Sequence, residues 1–233
     1  MSITNRISNA YILIHSDSLE DTGNMPSELS PIFLSPRGRT VTVFGGGPVA
    51  LRKCLHFKGF RIRVVAEKVL PDLEEVADEV VLARIDPETA GGYMDGSDIV
   101  VAATSDHSLN DSIRDISMSR GIMTNSAHGG GDVLIPSTVR RDGWAFCVSS
   151  LGNAPAFPPY VASAIDGMLD SSYDLMLRLL SDIRPAVMEG IADQPSRARF
   201  LADVLHDEDV WSLLRSGDLP SAEDVCIERI GRP

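Results

Sequence analysis

The stretch Thr40–Ala50 reads Thr-Val-Thr-Val-Phe-Gly-Gly-Gly-Pro-Val-Ala and decides the fold. Its first five residues are β-branched or aromatic, which indicates a buried parallel strand. The following Gly-x-Gly-x-x-Ala pattern is typical of a turn in which Gly45 permits a tight bend and Gly47 lets a diphosphate approach the backbone. An ordinary glycine-rich turn is the alternative. The preceding strand, and a helix that begins at Pro48 with free amides in its first turn, favour a dinucleotide site.

Alternating strands and helices continue through residues 40–127. The fourth predicted strand, Asp98–Thr104, is almost wholly apolar, as expected at the centre of a parallel sheet. Because ligands bind beyond the carboxyl ends of such strands, Ala103 and Thr104 should face the same crevice as Gly45 and Gly47. The sequence therefore predicts an α/β fold with a Rossmann-type parallel sheet. The other predicted strands are Arg61–Ala66, Val80–Arg84 and Gly121–Ala127, and the predicted helices are 48–58, one from Pro71 to about Glu79, and 108–120.

Glu67 follows the second predicted strand, 20 residues after Gly47. A carboxylate at this point accepts hydrogen bonds from a ribose 2′-hydroxyl, which favours NAD over NADP. Lys68, its neighbour, suits a 2′-phosphate instead. The coenzyme predicted from these residues is NAD, with NADP left open.

Beyond residue 132 the pattern changes to a hairpin and then to helices. The Asp142-Gly143 step between Val133–Val139 and Trp144–Ser150 is a strong hairpin signal. Two antiparallel strands are marginal alone, so we expect this pair to join a partner subunit. Apolar spacing predicts helices over Tyr160–Leu169, Tyr173–Glu189 (kinked or split at Pro185), Ser196–His206 and Glu208–Arg215. The predicted parts are a loosely ordered leader (1–30), a nucleotide-binding domain (31–135), a dimerisation region (136–168) and a helical subdomain (169–233).

The net charge of −12 argues against binding to nucleic acid or to anionic membranes. The segment from Arg37 to Lys68 is nonetheless basic, with eight Arg or Lys residues and one acid. It is either ordinary solvated charge or a positive rim that attracts a polyanionic substrate. Three scattered cysteines, no metal-ligand spacing, no export signal and no membrane-spanning run predict a cytoplasmic protein without a metal site.

Several motifs together resemble the siroheme synthase family, the precorrin-2 dehydrogenases that oxidise precorrin-2 to sirohydrochlorin; some members also insert iron. The resemblance spans about residues 31–215, and the string Gly-Gly-Gly-Pro-Val-Ala-Leu-Arg-Lys at 45–53 is its most specific part. The other matching positions are Pro31-Ile-Phe33, Ala102–Thr104 with Asn110, Asn125, Pro136-Ser137, and Ser149–Gly152 with Pro155.

The resemblance implies a homodimer with an NAD-binding domain, a dimerisation hairpin and a helical tail. It places Pro48 and Val49 at the diphosphate, Glu67 and Lys68 near the adenosine ribose, and Ala103 and Thr104 along the dinucleotide. It also gives the basic rim a purpose, since the tetrapyrrole substrate precorrin-2 is rich in carboxylates. The implied substrate-binding residues are Arg52, Lys53, Asn125 and Ser150.

The chain departs from the family at His128, where the pattern Asn-x-x-Asp reads Asn125-Ser-Ala-His128. The family's aspartate is its proposed acid–base group. A histidine can also move a proton near neutral pH, so His128 is the first catalytic candidate, and Asp132 is the second. Three alternatives stay open: a bifunctional member that also inserts metal, a member that has lost the chemistry, and a non-catalytic NAD-sensing module.

Overall fold

A computed structural model describes residues 29–230 of the chain. A five-stranded parallel sheet with the strand order β3-β2-β1-β4-β5 forms its first part. This arrangement confirms the predicted Rossmann-type fold class. The strands are β1 (Thr40–Phe44), β2 (Arg61–Ala66), β3 (Glu79–Leu82), β4 (Ile99–Ala102) and β5 (Met123–Ser126).

The central strand β1 is buried because helices cover both faces of the sheet. Phe44, on one face, packs in a cluster with Val65, Ala102 and Ile113. In register, Phe44 lies beside Val65 of β2 and Ala102 of β4, so these three strands end level with one another. The helices of this part are α1 (Pro48–His56), α2 (Pro71–Val76), α3 (Pro87–Ala90), a 3₁₀ turn (Gly91–Met94) and α4 (His107–Ser119).

Two helix ends differ from the prediction. Helix α1 ends at His56 rather than at residue 58, and Gly59 adopts the left-handed conformation (φ 94°) three residues later. Helix α2 stops at Val76 rather than near Glu79, because Asp78 is already paired with β2. Its amide donates to the Ile62 carbonyl (2.9 Å), and its carboxylate accepts from the Ile62 amide (2.7 Å). This pairing starts β3 at Glu79.

The second part begins with the predicted hairpin. Strands β6 (Ser137–Arg140) and β7 (Ala145–Val148) pair antiparallel, and Gly143 has the positive φ (83°) that the turn requires. Both strands are shorter than their predicted ranges. The helices that follow are α5 (Phe157–Met168), α6 (Ser172–Gly190), α7 (Gln194–Leu205), α8 (Glu208–Arg215) and α9 (Leu219–Ile230).

Helix α6 is continuous through Pro185, so the expected split is wrong. The ring removes one backbone hydrogen bond. However, Leu179, Ile183 and Val187 on both sides of it are buried in one apolar cluster with Leu214 of α8. Packing on both sides of the proline therefore keeps the two halves in one helix.

The described residues form two compact units that divide between Leu134 and Ile135. The predicted four-part division of the chain stays a prediction, and most of the predicted leader lies outside the described residues. Within the described part, none of the helices combines the length and the apolar character needed to cross a bilayer.

Candidate functional site

The three glycines after β1 have three different environments. Gly45 has φ 129°, and a side chain there would overlap the backbone oxygen of Ala103 at the end of β4. A side chain at Gly46 would overlap the backbone oxygen of Lys68, and the Gly46 carbonyl accepts a hydrogen bond from the Leu70 amide (3.0 Å). The turn is therefore held between the ends of β4 and β2. The glycine motif predicts a role for Gly45 but not for Gly46, whose constraint comes from Lys68 and not from a position of the motif.

Gly47 differs because the fold does not require it to be glycine. Apart from Gly47 itself and its two chain neighbours, no atom of residues 29–230 lies within 4 Å of the position that its Cβ would occupy, and its φ of −98° is open to any residue. It is the N-cap of α1, with Pro48 in the first turn. The Val49 and Ala50 amides have no intrahelical acceptor there. The missing side chain leaves open space before free amides and the positive end of a helix dipole, which fits a diphosphate.

The end of β4 is fixed beside this turn. The Asn110 side chain is fully buried; its Oδ1 accepts from the amide (2.9 Å) and hydroxyl (2.8 Å) of Thr104, and its Nδ2 donates to the Thr104 carbonyl (3.0 Å). Ala103 is buried and contacts Gly45. The matching asparagine thus holds the backbone on which a dinucleotide would lie.

Glu67 and Lys68 lie at the end of β2, where Glu67 has a basic neighbour that the sequence did not reveal. Arg84, beyond β3, approaches the Glu67 carboxylate to 3.7 Å, and both side chains are exposed. An exposed pair of this kind contributes little to stability. The carboxylate is therefore available to a ligand, with two cations beside it.

Helix α1 carries the adjacent predicted substrate residues. Arg52 is exposed, whereas Lys53 is half-buried. Burial, together with the charge of Arg52, lowers the pKa of Lys53 to about 8. An ammonium that has lost part of its hydration gains more from an incoming carboxylate than a solvated one does.

Asn125 is buried at the end of β5, the edge strand of the sheet. Its Nδ2 donates to the Val133 carbonyl (2.7 Å), and its Oδ1 has no hydrogen-bond partner among the described residues. The buried hydroxyl of Ser126 likewise has no partner within residues 29–230. Buried polar atoms are rarely left unpaired, so an acceptor such as Asn125 Oδ1 is suited to a ligand N–H group.

The two catalytic candidates have different surroundings. The carboxylate of Asp132 accepts from the Thr124 amide (2.5 Å), and the Val133 amide donates to the Thr124 carbonyl (2.9 Å), so this loop binds along the free edge of β5. His128 is exposed, and its imidazole stacks on that of His107 with ring centroids 3.4 Å apart. No ligand role was predicted for His107 from the sequence.

The structure brings most of the predicted residues to the carboxyl end of the sheet, in the first unit. The residues that lie at or beyond the ends of these strands are Gly45, Gly47, Pro48, Val49, Glu67, Lys68, Ala103, Thr104, Asn125 and His128. Ser150 belongs to the second unit, where its hydroxyl bonds to the backbone of Ala154. Among the described residues, no three His, Cys, Asp or Glu side chains are grouped to hold a metal ion.

Comparisons with known proteins agree with this geometry. Residues 32–137 match the family model described as "Putative NAD(P)-binding". The chain is 33% identical over 190 residues to the precorrin-2 dehydrogenase of Methanosarcina barkeri, a match that covers 78% of this chain and 85% of that protein. It is 30% identical over 204 residues to the siroheme synthase of Pseudomonas paraeruginosa, covering 86% of this chain but 44% of the synthase.

Among solved structures, the fold is similar to that of "SirC, precorrin-2 dehydrogenase", with a TM-score of 0.67 and 21% identity. That likeness covers 86% of this chain and all of the other, and it shows the shared fold. The chain spans less than half the length of the siroheme synthase that it matches. The identity to the Methanosarcina protein extends over most of both chains, and this protein therefore belongs to the precorrin-2 dehydrogenase and siroheme synthase family and carries its NAD(P)-binding domain.

Proposed function

We propose that this protein is an NAD-dependent precorrin-2 dehydrogenase, which oxidises precorrin-2 to sirohydrochlorin in siroheme biosynthesis. The observation that carries the proposal is the open space at Gly47, before the free amides of α1, in a chain of this family. A glycine that neither packing nor backbone conformation requires is explained by a ligand that occupies the space. A non-catalytic NAD-sensing module would not need the hairpin and the helical tail. The similarity to the Methanosarcina dehydrogenase covers 78% of this chain and favours an enzyme.

NAD⁺ supplies the hydride acceptor when it is bound. The amides of Val49 and Ala50 bind its diphosphate, and Glu67 accepts hydrogen bonds from the adenosine ribose. Gly45, Ala103 and Thr104 hold the backbone along which the dinucleotide extends. The protein's contribution to the hydride step is alignment of the donor carbon with the coenzyme.

The substrate is recognised by charge. Arg52 and Lys53 lie on one turn of α1, next to the proposed diphosphate site, and bind carboxylates of precorrin-2. Asn125 Oδ1 accepts an N–H hydrogen bond from the tetrapyrrole, which satisfies its unpaired oxygen. Ser150 stays a substrate-binding residue that only the family resemblance implies.

The oxidation releases a proton together with the hydride, and His128 accepts it. Both side chains are exposed, but the Asp132 carboxylate is already bonded to the backbone of β5, whereas no hydrogen bond to the His128 imidazole is found among the described residues. A neutral imidazole is a suitable base near neutral pH.

His128→Ala should therefore slow oxidation by about 10²–10⁴-fold. An Asp132→Ala variant that alone loses activity would assign the proton to the carboxylate.

The enzyme acts as a homodimer, built through the hairpin region and the helices that follow. A two-stranded sheet is marginal by itself. Helix α5 also exposes Phe157, Tyr160 and Met168 along one side, which is typical of a surface that another subunit covers.

The coenzyme site is tested by calorimetry on Gly47→Val. The branched side chain should fill the diphosphate space and abolish NAD⁺ binding while the fold is retained, because no described residue other than its chain neighbours comes within 4 Å of the Cβ position. Gly92→Val is the matched control, since Gly92 also has open space but lies in the turn that leads into β4. Equal NAD⁺ affinity in the two variants would refute the assignment.

A further inference from the structure

The imidazoles of His107 and His128 lie face to face, with ring centroids 3.4 Å apart and planes inclined by 19°. His107 opens helix α4, and His128 follows β5. Helix α4 does not need His107 as a cap, because the Asp106 carboxylate accepts from the Leu109 amide (3.1 Å). Neither capping nor burial accounts for the position of the His107 ring.

The backbone around His128 is anchored on both sides. The Ala127 amide donates to the Ala102 carbonyl of β4 (2.9 Å), and the Gly129 amide donates to the Ser126 carbonyl (3.2 Å). The Asp132 carboxylate fixes the end of the same loop on Thr124. The remaining freedom of His128 is therefore rotation of its side chain.

The stack with His107 restricts that rotation. Among residues 29–230, no hydrogen bond is found for the His128 ring, so the contact with His107 is what selects its orientation. Nearby charged groups have other partners: Asp106 bonds to Leu109, and Arg114 forms ion pairs with Asp111 and Asp115.

Stacking also limits what the two rings can do together. The nitrogen lone pairs lie in the ring planes, and two nearly parallel planes do not direct them to one metal ion. A proton likewise cannot pass through the faces of the rings. The geometry suits an orienting contact and not a shared ligand set.

We propose that His107 is a positioning residue, which holds the imidazole of His128 toward the crevice at the ends of β4 and β5. The inference rests on the proposed role of His128 as the group that accepts the proton. A flat ring at position 107 is sufficient, because the contact is made through ring faces.

The test compares His107→Ala, His107→Phe and His128→Ala in the full chain, with precorrin-2 and NAD⁺ as substrates. We expect His107→Ala to lower kcat about tenfold, since a misoriented base is only sometimes in place, and to leave the KM for NAD⁺ unchanged. His107→Phe should restore kcat to within about twofold, because the ring faces still meet. Ser108→Ala, the next residue of the same helical turn, is the control and should match the wild type.

The outcomes distinguish a failure of the His107 positioning role from a failure of proton transfer by His128. If His128→Ala is impaired but His107→Ala has the wild-type kcat, the positioning role is wrong and the proposed function stands. If His107→Phe is as slow as His107→Ala, an imidazole nitrogen is needed and the orienting contact is refuted. If His128→Ala keeps wild-type activity, proton transfer by His128 fails and the inference fails with it. Proton NMR of the His128 ring gives an independent check: its protons should lose the upfield displacement caused by the stacked ring in His107→Ala, and should keep an upfield displacement in His107→Phe.

Discussion

At the scale of single residues, the proposed preference for NAD rests on Glu67 and the two cations beside it. Glu67 accepts from a 2′-hydroxyl but repels a 2′-phosphate, while Lys68 and Arg84 (3.7 Å from Glu67) would attract the phosphate. We expect Glu67→Ser to weaken NAD⁺ binding about tenfold and to strengthen NADP⁺ binding, as measured by calorimetry. When Arg84→Ala is added to Glu67→Ser, the gain in NADP⁺ affinity should be lost. An unchanged ratio of the two affinities in Glu67→Ser would show that the ribose lies elsewhere.

Lys53 gives a prediction for pH. Because burial lowers its pKa from 10.5 to about 8, the unfolded state binds more protons than the folded state between these values. The free energy of unfolding therefore rises with pH across this window, and below about pH 8 the buried ammonium destabilises the fold. Lys53→Met should raise the Tm near neutral pH, lose most of that advantage by about pH 10, and raise the KM for precorrin-2.

Circular dichroism at the two pH values measures the Tm change. Lys58→Met is the matched control, since Lys58 is exposed just after the same helix. Parallel pH dependence in the two variants would mean that Lys53 does not carry this destabilisation.

At the scale of elements, Arg141 connects the hairpin to two helices. Its guanidinium donates to the Asp166 carboxylate (2.6 Å) and the Leu169 carbonyl (2.7 Å) and approaches Asp174 to 3.5 Å. The Trp144 ring lies beside the guanidinium, and the indole Nε1 of Trp144 donates to the Asp174 carboxylate (2.7 Å). Removal of the arginine leaves two carboxylates without their cation.

Arg141→Ala should therefore lower the Tm clearly more than Arg140→Ala, whose side chain is exposed on the same hairpin. Thermal unfolding followed by circular dichroism measures the difference. Equal Tm values would show that the ion pairs and hydrogen bonds of Arg141 do not stabilise the second unit.

Local signals explain which elements could be predicted from the sequence. The strand before Gly45, the Asp142-Gly143 turn and helix α8 depend on neighbouring residues, and all three are found as predicted. Helix α9 was not predicted, because its apolar pattern is weak and its burial depends on packing against α6. The expectation that Pro185 could split its helix was wrong for the same reason, since tertiary packing outweighs the local penalty; a kink at Pro185 stays a prediction.

In the candidate functional site, too, local spacing could be predicted and long-range contacts could not. Gly45, Gly47 and Glu67 have a fixed spacing along the chain, so the sequence predicts their place at the ends of the strands. The contacts of Gly46 with Lys68, of Asp132 with Thr124 and of His107 with His128 join segments that come together only when the sheet forms. No local pattern predicts such contacts.

At the scale of the whole molecule, the apolar side of α5 predicts the assembly. Light scattering should give a mass about twice the 25.2 kDa of one chain. Tyr160→Glu should shift the protein toward the monomer, because a charge would be buried in the interface. Met118→Glu, at an exposed position of α4 in the first unit, should not. A monomer of constant mass at all concentrations would contradict the dimer.

The central claim joins the coenzyme turn to the tetrapyrrole reaction. It is tested most directly by incubating the purified protein with precorrin-2 and NAD⁺ and following the absorbance of NADH and sirohydrochlorin together. We expect the two products to appear in equal amounts and Gly47→Val to form neither. Sirohydrochlorin formed without NADH, or a wild-type protein that binds NAD⁺ and leaves precorrin-2 unchanged, would contradict it.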